Sequence, residues 1–438
     1  MGAYKLKLFG TMEILNNQLC IGGISTIELA REFGTPLYVM DEKLIRDNCK
    51  MFYKSFKADK SINRVAYAGK AFLTIAMCQI IDEEGLYLDV VSGGELYTAY
   101  KSGFPMEKIY FHGNNKTIEE IEMGIKLGVG RFVADNFYEI EKINEIAKKY
   151  NKVQKVLLRI TPGIEAHTHE YIKTGQVDSK FGFTLLENQT LTAVQKANMH
   201  TNIELMGFHC HIGSQIFEIE PYREEVRIML SLIKEVKDKL GFEIKELDLG
   251  GGFGIYYESG DSPRKFNEFC EAILDEAEKV SEELEITLPS LTIEPGRSIV
   301  GNAGTTLYTV GAIKQIPEVR KYVAVDGGMT DNIRPALYRA QYECVIANKV
   351  ESFISRETVT ISGKCCESGD ILLNDVEISE VESGDILAVL STGAYGYSMS
   401  SNYNKIPRAA VVLVGDGNAK VICKRQSYED LIANEIRL

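Results

Sequence analysis

The 438-residue chain contains no stretch approaching the roughly 20 apolar residues that span a bilayer. Its opening, MGAYKLKLFGTMEIL, lacks an uninterrupted apolar core followed by a small-residue cleavage site. No membrane association is expected, and the cytoplasm is the expected location. Positive charge is in deficit: 49 Lys and Arg stand against 62 Asp and Glu, a formal net charge of −13 at pH 7. Such a chain repels nucleic-acid backbones and anionic lipid, so neither is an expected partner. The nine cysteines are odd in number and irregularly spaced, which argues against a disulfide framework and for reduced thiols. Most read as small buried hydrophobes; Cys366, beside Cys365 and set among polar residues, invites a chemical reading. Internal repeats and low-complexity tracts are also absent. With 45% hydrophobic and 25% charged residues, what remains is a globular chain that buries a large core, long enough for more than one domain.

A helix is expected between Ser25, with Glu28 three residues on as a capping box, and Gly34 before Pro36. From there a short β-rich run, a polar or glycine turn and an amphipathic helix recur. The expected strands are Arg64–Ala68, Tyr87–Val91, Ile109–Phe111, Arg131–Ala134, Val156–Ile160, Glu204–His209, Glu246–Leu249 and Leu291–Glu294. Eight such units predict an α/β fold, a (β/α)8 TIM-like barrel over residues 36–305. The spacing breaks once: the segment after the fifth strand is too long for one helix, and Gly163 to Gly182, with His167, His169, Lys173 and Lys180, is expected to form a flap. Beyond residue 305 the helical period gives way to short alternating runs. Residues 306–438 with 1–35, including a run at Met12 to Leu15, are expected to form one sandwich-like or barrel-like all-β domain built from both chain ends.

In such a barrel the chemistry sits at the C-terminal ends of the strands. Reactive residues fall there: Lys70, Asp89, His112, Asp135, Arg159, His209 to Ser214, the Gly250 to Gly254 loop, and Glu294-Pro295-Gly296-Arg297. The loops after strands seven and eight lie where barrels bind phosphate, and bare backbone N–H groups converge in glycine-rich turns. The glycine loop fits neither G-x-G-x-x-G nor a Walker motif. Lys70 follows an apolar strand, where an amine that has lost its proton attacks a carbonyl. A phosphate cradle together with this lysine points to a phosphorylated aldehyde, pyridoxal 5'-phosphate. His209 suits the ring face and Glu294 the pyridine nitrogen. His209 and His211, which point the same way on a strand, allow a rival zinc reading, but no third ligand lies nearby in sequence and no metal is expected.

An ordered set of motifs covers nearly the whole chain: Lys70, SGGEL (92–96), HGNNK (112–116), SKFG (179–182), HCHIGSQ (209–215), GGGFG (250–254), EPGRSIV (294–300), DGGMTDNIRPALY (326–338), CESGD (366–370) and TGAYGYSMSSNYN (392–404). This set resembles the alanine-racemase-barrel, or fold type III, class of pyridoxal-phosphate decarboxylases, and within it the diaminopimelate decarboxylases. One departure is visible. The family often reads Lys-Ala-Asn where this chain has Lys70-Ala71-Phe72, and a packing change is expected there.

The resemblance implies roles residue by residue. Lys70 corresponds to the Schiff-base lysine, His209 to the ring-stacking residue and Glu294 to the pyridinium partner. Ser214, Gly252, Gly296, Arg297 and Tyr395 correspond to the phosphate site, and Asp89 and Arg159 orient groups around the cofactor. Cys366 corresponds to the proton donor. Arg297, Arg334 and Tyr338 would hold a distal carboxylate and Glu367 a distal amine, with Tyr395 also at the substrate. Two arginines suit a diacid, because a guanidinium pairs bidentately with a carboxylate. The family implies a small-molecule substrate, meso-2,6-diaminopimelate, decarboxylated to L-lysine in lysine biosynthesis. It also implies a head-to-tail homodimer with shared sites. The alternatives are a relative acting on another basic amino acid or carboxy-polyamine, and a non-catalytic pyridoxal-binding regulator, which would be expected to lack Lys70 or Cys366.

Overall fold

Eight short apolar strands alternate with helices through the middle of the chain. In the computed structural model, which describes residues 6–57, 62–164, 178–350 and 356–438, those strands close into a ring. They are Arg64–Ala68 (β1), Tyr87–Val90 (β2), Ile109–Phe111 (β3), Arg131–Ala134 (β4), Gln154–Thr161 (β5), Ile203–His209 (β6), Glu246–Asp248 (β7) and Ser290–Ile293 (β8). Every neighbouring pair is parallel, and Thr292 and Ile293 of β8 pair with Arg64 and Val65 of β1 to close the barrel. Strands covered on both sides are apolar throughout rather than alternating. Ala66, Tyr110, Val133, Leu157 and Met206 form one buried cluster of such residues.

The intervening helices start where small polar residues cap them. Ser92, Thr117 and Asn136 each accept a hydrogen bond from the backbone N–H three residues on, and glycines in the left-handed conformation end the first two helices at Gly103 and Gly128. Near the start of the barrel strands, Glu246 receives a two-pronged bond from Arg131 at 2.9 and 2.7 Å, with Arg64 3.0 Å away. Losing one partner of such a buried set costs roughly 3–5 kcal/mol, so this cluster holds together the end of the barrel opposite the chemistry.

The chain divides into two compact units. The barrel unit is Asn48–Ile255 with Ser262–Ser298; the other is Met1–Asp47, Tyr256–Asp261 and Ile299–Leu438. The second unit contains a nine-stranded mixed sheet, whose long strand Gly304–Ile316 pairs with Leu37–Asp41, Arg320–Val325 and Ile386–Val389. Leu37–Asp41 falls within the range 36–305 expected for the barrel. It instead pairs antiparallel with Gly304–Ile316 and parallel with Ala410–Gly415. All five of its residues are buried, and a continuous apolar run of that kind does not reveal which sheet it joins.

Three further expectations are corrected. The run near Met12 to Leu15 does not join the mixed sheet: Glu13–Leu15, Gln18–Ile21 and Ile24–Ser25 pair with each other in a separate three-stranded sheet. The cause is local, because Asn16 and Asn17 both take positive φ, the tight two-residue turn that folds a strand back on its neighbour. Ser25 caps the first helix, Thr26–Phe33, through Ile27 N, and its hydroxyl also donates to Gln18, so the Ser25–Glu28 box is replaced by a bond across the hairpin. The region after 305 also carries short helices at Arg334–Tyr338 and Tyr428–Ile432, too brief to show a period. His167, His169 and Lys173 of the expected flap lie outside the described residues; Phe183–Thr184 adds a short parallel strand beside β5. No helix among the described residues is long and apolar enough to cross a membrane.

Candidate active site

The loops leaving β6, β7 and β8 come together as bare backbone. Gly252 has φ 103°, and a Cβ there would stand 2.5 Å from Gly213 O; a Cβ on Gly296 would stand 2.8 Å from that of Ala68. Only glycine fits such approaches. Beside them the Arg297 guanidinium donates to Ser214 Oγ at 3.0 Å. Lys70 sits in the single turn Gly69–Ala71 that follows β1, exposed, and its charge acts on Asp89, Glu95 and His211.

Glu294, at the end of β8, is the hub. His112 Nε2 lies 2.8 Å from Glu294 Oε1 and 3.7 Å from Asp89 Oδ1, while His209 Nε2 lies 3.3 Å from Glu294 Oε2. The two imidazoles meet edge to face at 4.7 Å. All four side chains are buried. Burial alone would raise the Glu294 carboxyl; the neighbouring imidazoles outweigh it and hold the group well below the usual carboxylate range. Burial pushes His209 down to about 3, so its ring is neutral, and it raises Asp89, with His112 opposing. His112, His209 and Glu294 also present three potential ligand atoms within 4.8 Å of one another. The rival pairing of His209 with His211 is not what the fold gathers, since His211 Nδ1 turns to Gly251 N at 3.3 Å.

The loops after β4 and β5 are tied by Phe181 and Gly182. Gly182 N donates to Asp135 Oδ2 at 2.9 Å, Thr161 donates to Phe181 O at 2.6 Å, and the Arg159 guanidinium lies 4.2 Å over the Phe181 ring. Lys116, the last residue of HGNNK, is buried against Glu139 at 2.9 Å and against two backbone carbonyls, a structural ion pair. Phe72, at the departure from Lys-Ala-Asn, is buried, and Tyr67 donates to its backbone carbonyl at 2.7 Å.

In the second unit, Arg334 and Tyr338 open and close one short helix. The Arg334 guanidinium donates to the Tyr342 hydroxyl and lies 5.0 Å over the Tyr257 ring, fixed although buried. Cys366 and Glu367 are exposed on a loop held by Asp370, which accepts from Met329 N at 2.6 Å and Cys365 N at 2.8 Å. Tyr395 takes φ 60°, an uncommon backbone for an aromatic residue.

A family described as pyridoxal-dependent decarboxylase, pyridoxal binding domain, matches residues 42–301. Diaminopimelate decarboxylase of Bacillus subtilis (strain 168) is 51% identical over 95% of this chain and 95% of its own length. The enzyme of that name from Bacillus methanolicus is 53% identical over 93% and 94%. The chain belongs to the diaminopimelate decarboxylase family. Among solved structures, the family's M. jannaschii member in co-complex with L-lysine superposes with a TM-score of 0.92 at 39% identity, covering 98% of both chains.

Membership makes this a pyridoxal-phosphate-dependent decarboxylase, and the residues present fit that cofactor. The cradle around Gly252 and Gly296 has no room for side chains, as backbone donors to a phosphate require, with Ser214 and Arg297 alongside. A buried carboxylate held ionised at Glu294 suits a protonated pyridine nitrogen, and the buried His209 Nδ1 has no hydrogen-bond partner among the described residues.

Within the barrel unit the fold thus gathers Asp89, His209 and Glu294 in one cluster and Ser214 with Arg297 in another, with Gly252 and Gly296 in the adjoining loops. Arg159 joins through its charge, which bears on Asp89 and His209. Sequence reasoning placed His112 among the reactive residues at the strand ends but assigned it no role. Its signal was its position at the end of an apolar strand, the same signal that singled out Lys70. Asp248, buried beside Glu294 and pushed well above the ordinary carboxyl range by burial, was missed for a different reason. It looks like one more strand residue.

Proposed function

We propose that the chain decarboxylates meso-2,6-diaminopimelate to L-lysine and CO2, in sites shared between two subunits of a head-to-tail homodimer. The observation that carries this reading is near-full-length identity of about half to diaminopimelate decarboxylases, supported by a 39% identical structure in complex with L-lysine. Pyridoxal phosphate, when bound, supplies a conjugated ring that takes up the electron pair left as the carboxylate departs.

The chain's own residues do the rest. Lys70 Nζ would be the nucleophile that holds the cofactor through its aldehyde. Glu294 would keep a proton on the pyridine nitrogen, the neutral His209 would serve the ring face, and Asp89 and Arg159 would orient the groups around it. Ser214, Gly252, Gly296, Arg297 and Tyr395 bind the phosphate. Arg297, Arg334 and Tyr338 receive the distal carboxylate, Glu367 the distal amine, and Tyr395 borders the substrate. A monoacid would leave that positive charge unpaired, which is the physical basis of selection. Cys366 Sγ returns the proton to the carbon that lost CO2.

Subunit mixing tests the shared site. Lys70→Ala and Cys366→Ala proteins each release little CO2 from diaminopimelate, and a mixed dimer recovers activity because one of its sites is intact. A verified mixed dimer that stays inactive refutes the shared arrangement.

A further inference from the structure

Cys366 is exposed, while the other eight cysteines are buried or half-buried. A side chain on an exposed loop holds one position only if its backbone is pinned. Two successive amides of this loop are pinned: Cys365 N donates to Asp370 Oδ2 and Cys366 N donates to Asn404 Oδ1, each at 2.8 Å. Asp370 lies within the same motif as Cys366; Asn404 comes from 38 residues further along.

Asn404 sits in an unusual turn. Both it and Lys405 have positive φ, at 52° and 56°. Asparagine tolerates that conformation, but the turn needs outside support. The support comes from the C-terminal tail. Asn402 Nδ2 donates to Ile406 O at 2.9 Å and to Gln426 Oε1 at 2.7 Å, the same Gln426 oxygen accepts from Arg408 N at 3.0 Å, and Lys405 pairs with Glu435.

We propose that Asn404 is a positioning residue for the Cys366 thiol, and that the C-terminal tail, through Gln426 and Glu435, sets the turn that aims it. The inference rests on reading Cys366 as the proton donor. A thiol that must meet one carbon loses rate steeply when its backbone drifts, because misplacement of about 1 Å can cost as much as 100-fold.

The test uses the full-length holoenzyme. Asn404→Gly keeps the backbone conformation at no steric cost and removes only the acceptor; Asn404→Asp keeps both the acceptor and tolerance of the turn. The glycine variant is expected to lose about tenfold in kcat with KM within about twofold. Iodoacetamide should label its Cys366 about threefold faster, still at one thiol per chain, because the loop is looser. Asn404→Asp is expected to return most of the kcat, and Gln426→Ala to move both readouts in the glycine variant's direction by less. If Asn404→Gly leaves both kcat and labelling rate unchanged, the inference is overturned. If Cys366→Ala keeps full activity, the proton-donor reading fails instead, and labelling of the Asn404 variants still decides whether this side chain holds the loop.

Discussion

Glu294 shows how single residues set the chemistry. A buried carboxylate is costly unless its neighbours satisfy it, and here those neighbours are the His112 imidazole at 2.8 Å and the neutral His209 ring, which hydrogen-bonds it at 3.3 Å. His112→Ala removes the nearer one. The Glu294 carboxyl then titrates at higher pH, so the acid limb of the activity profile moves upward and the cofactor binds more weakly. A fall of about tenfold in kcat is expected at neutral pH. The pH dependence of kcat/KM, with a cofactor titration followed by absorbance, checks this; an unshifted acid limb would show that His112 does not hold Glu294 ionised. At this scale the sequence was most legible where chemistry and position coincide. Lys70, His209 and Glu294 each combine a reactive side chain with the end of an apolar strand. It was least legible where a side chain works through another, as His112 does on Glu294 and Asn404 on the Cys366 amide.

Among the elements, the barrel strands were readable because each is a short apolar run ended by a polar or glycine turn. Leu37–Asp41 is the same kind of run, yet its neighbours are strands far along the chain, and no local pattern encodes that choice. The hairpin at Asn16–Asn17 turned on two left-handed residues that an alternating pattern does not show.

The helix Glu220–Leu240 behind β6 carries a further consequence. Its Glu225 is fully buried, and neither oxygen accepts a conventional hydrogen bond among the described residues. Burial raises this carboxyl to about 8, with the Cys210 thiol opposing only in part. The folded state therefore holds a proton that the unfolded chain releases above about pH 4.3, and stability is lost as pH rises from there to about 8. The cost at pH 7 is roughly 4 kcal/mol. Glu225→Gln, neutral at every pH, is expected to melt higher than the parent at pH 8 and to show a flatter melting profile between pH 5 and 8. Equal slopes for both proteins would contradict the buried-acid assignment.

For the whole molecule, the chain runs out of one compact unit into the barrel and back, so the residues proposed to carry function belong to two bodies with interleaved sequence. Lys70, His209, Glu294 and Arg297 lie in the barrel unit; Arg334, Tyr338, Cys366 and Tyr395 lie in the other. The acidic composition, with no apolar run of bilayer length, narrowed the expected partners before any motif was read. It says nothing about which diacid or amine is the substrate, a choice that the proposed reading assigns to a few side chains such as Arg297, Arg334 and Glu367. The central claim is that choice. It is tested most directly by comparing kcat/KM of the purified holoenzyme for meso-diaminopimelate with those for ornithine and arginine. The account predicts a preference for diaminopimelate of at least about 100-fold, since a monoacid leaves buried positive charge unpaired; equal or better turnover of ornithine or arginine would contradict it.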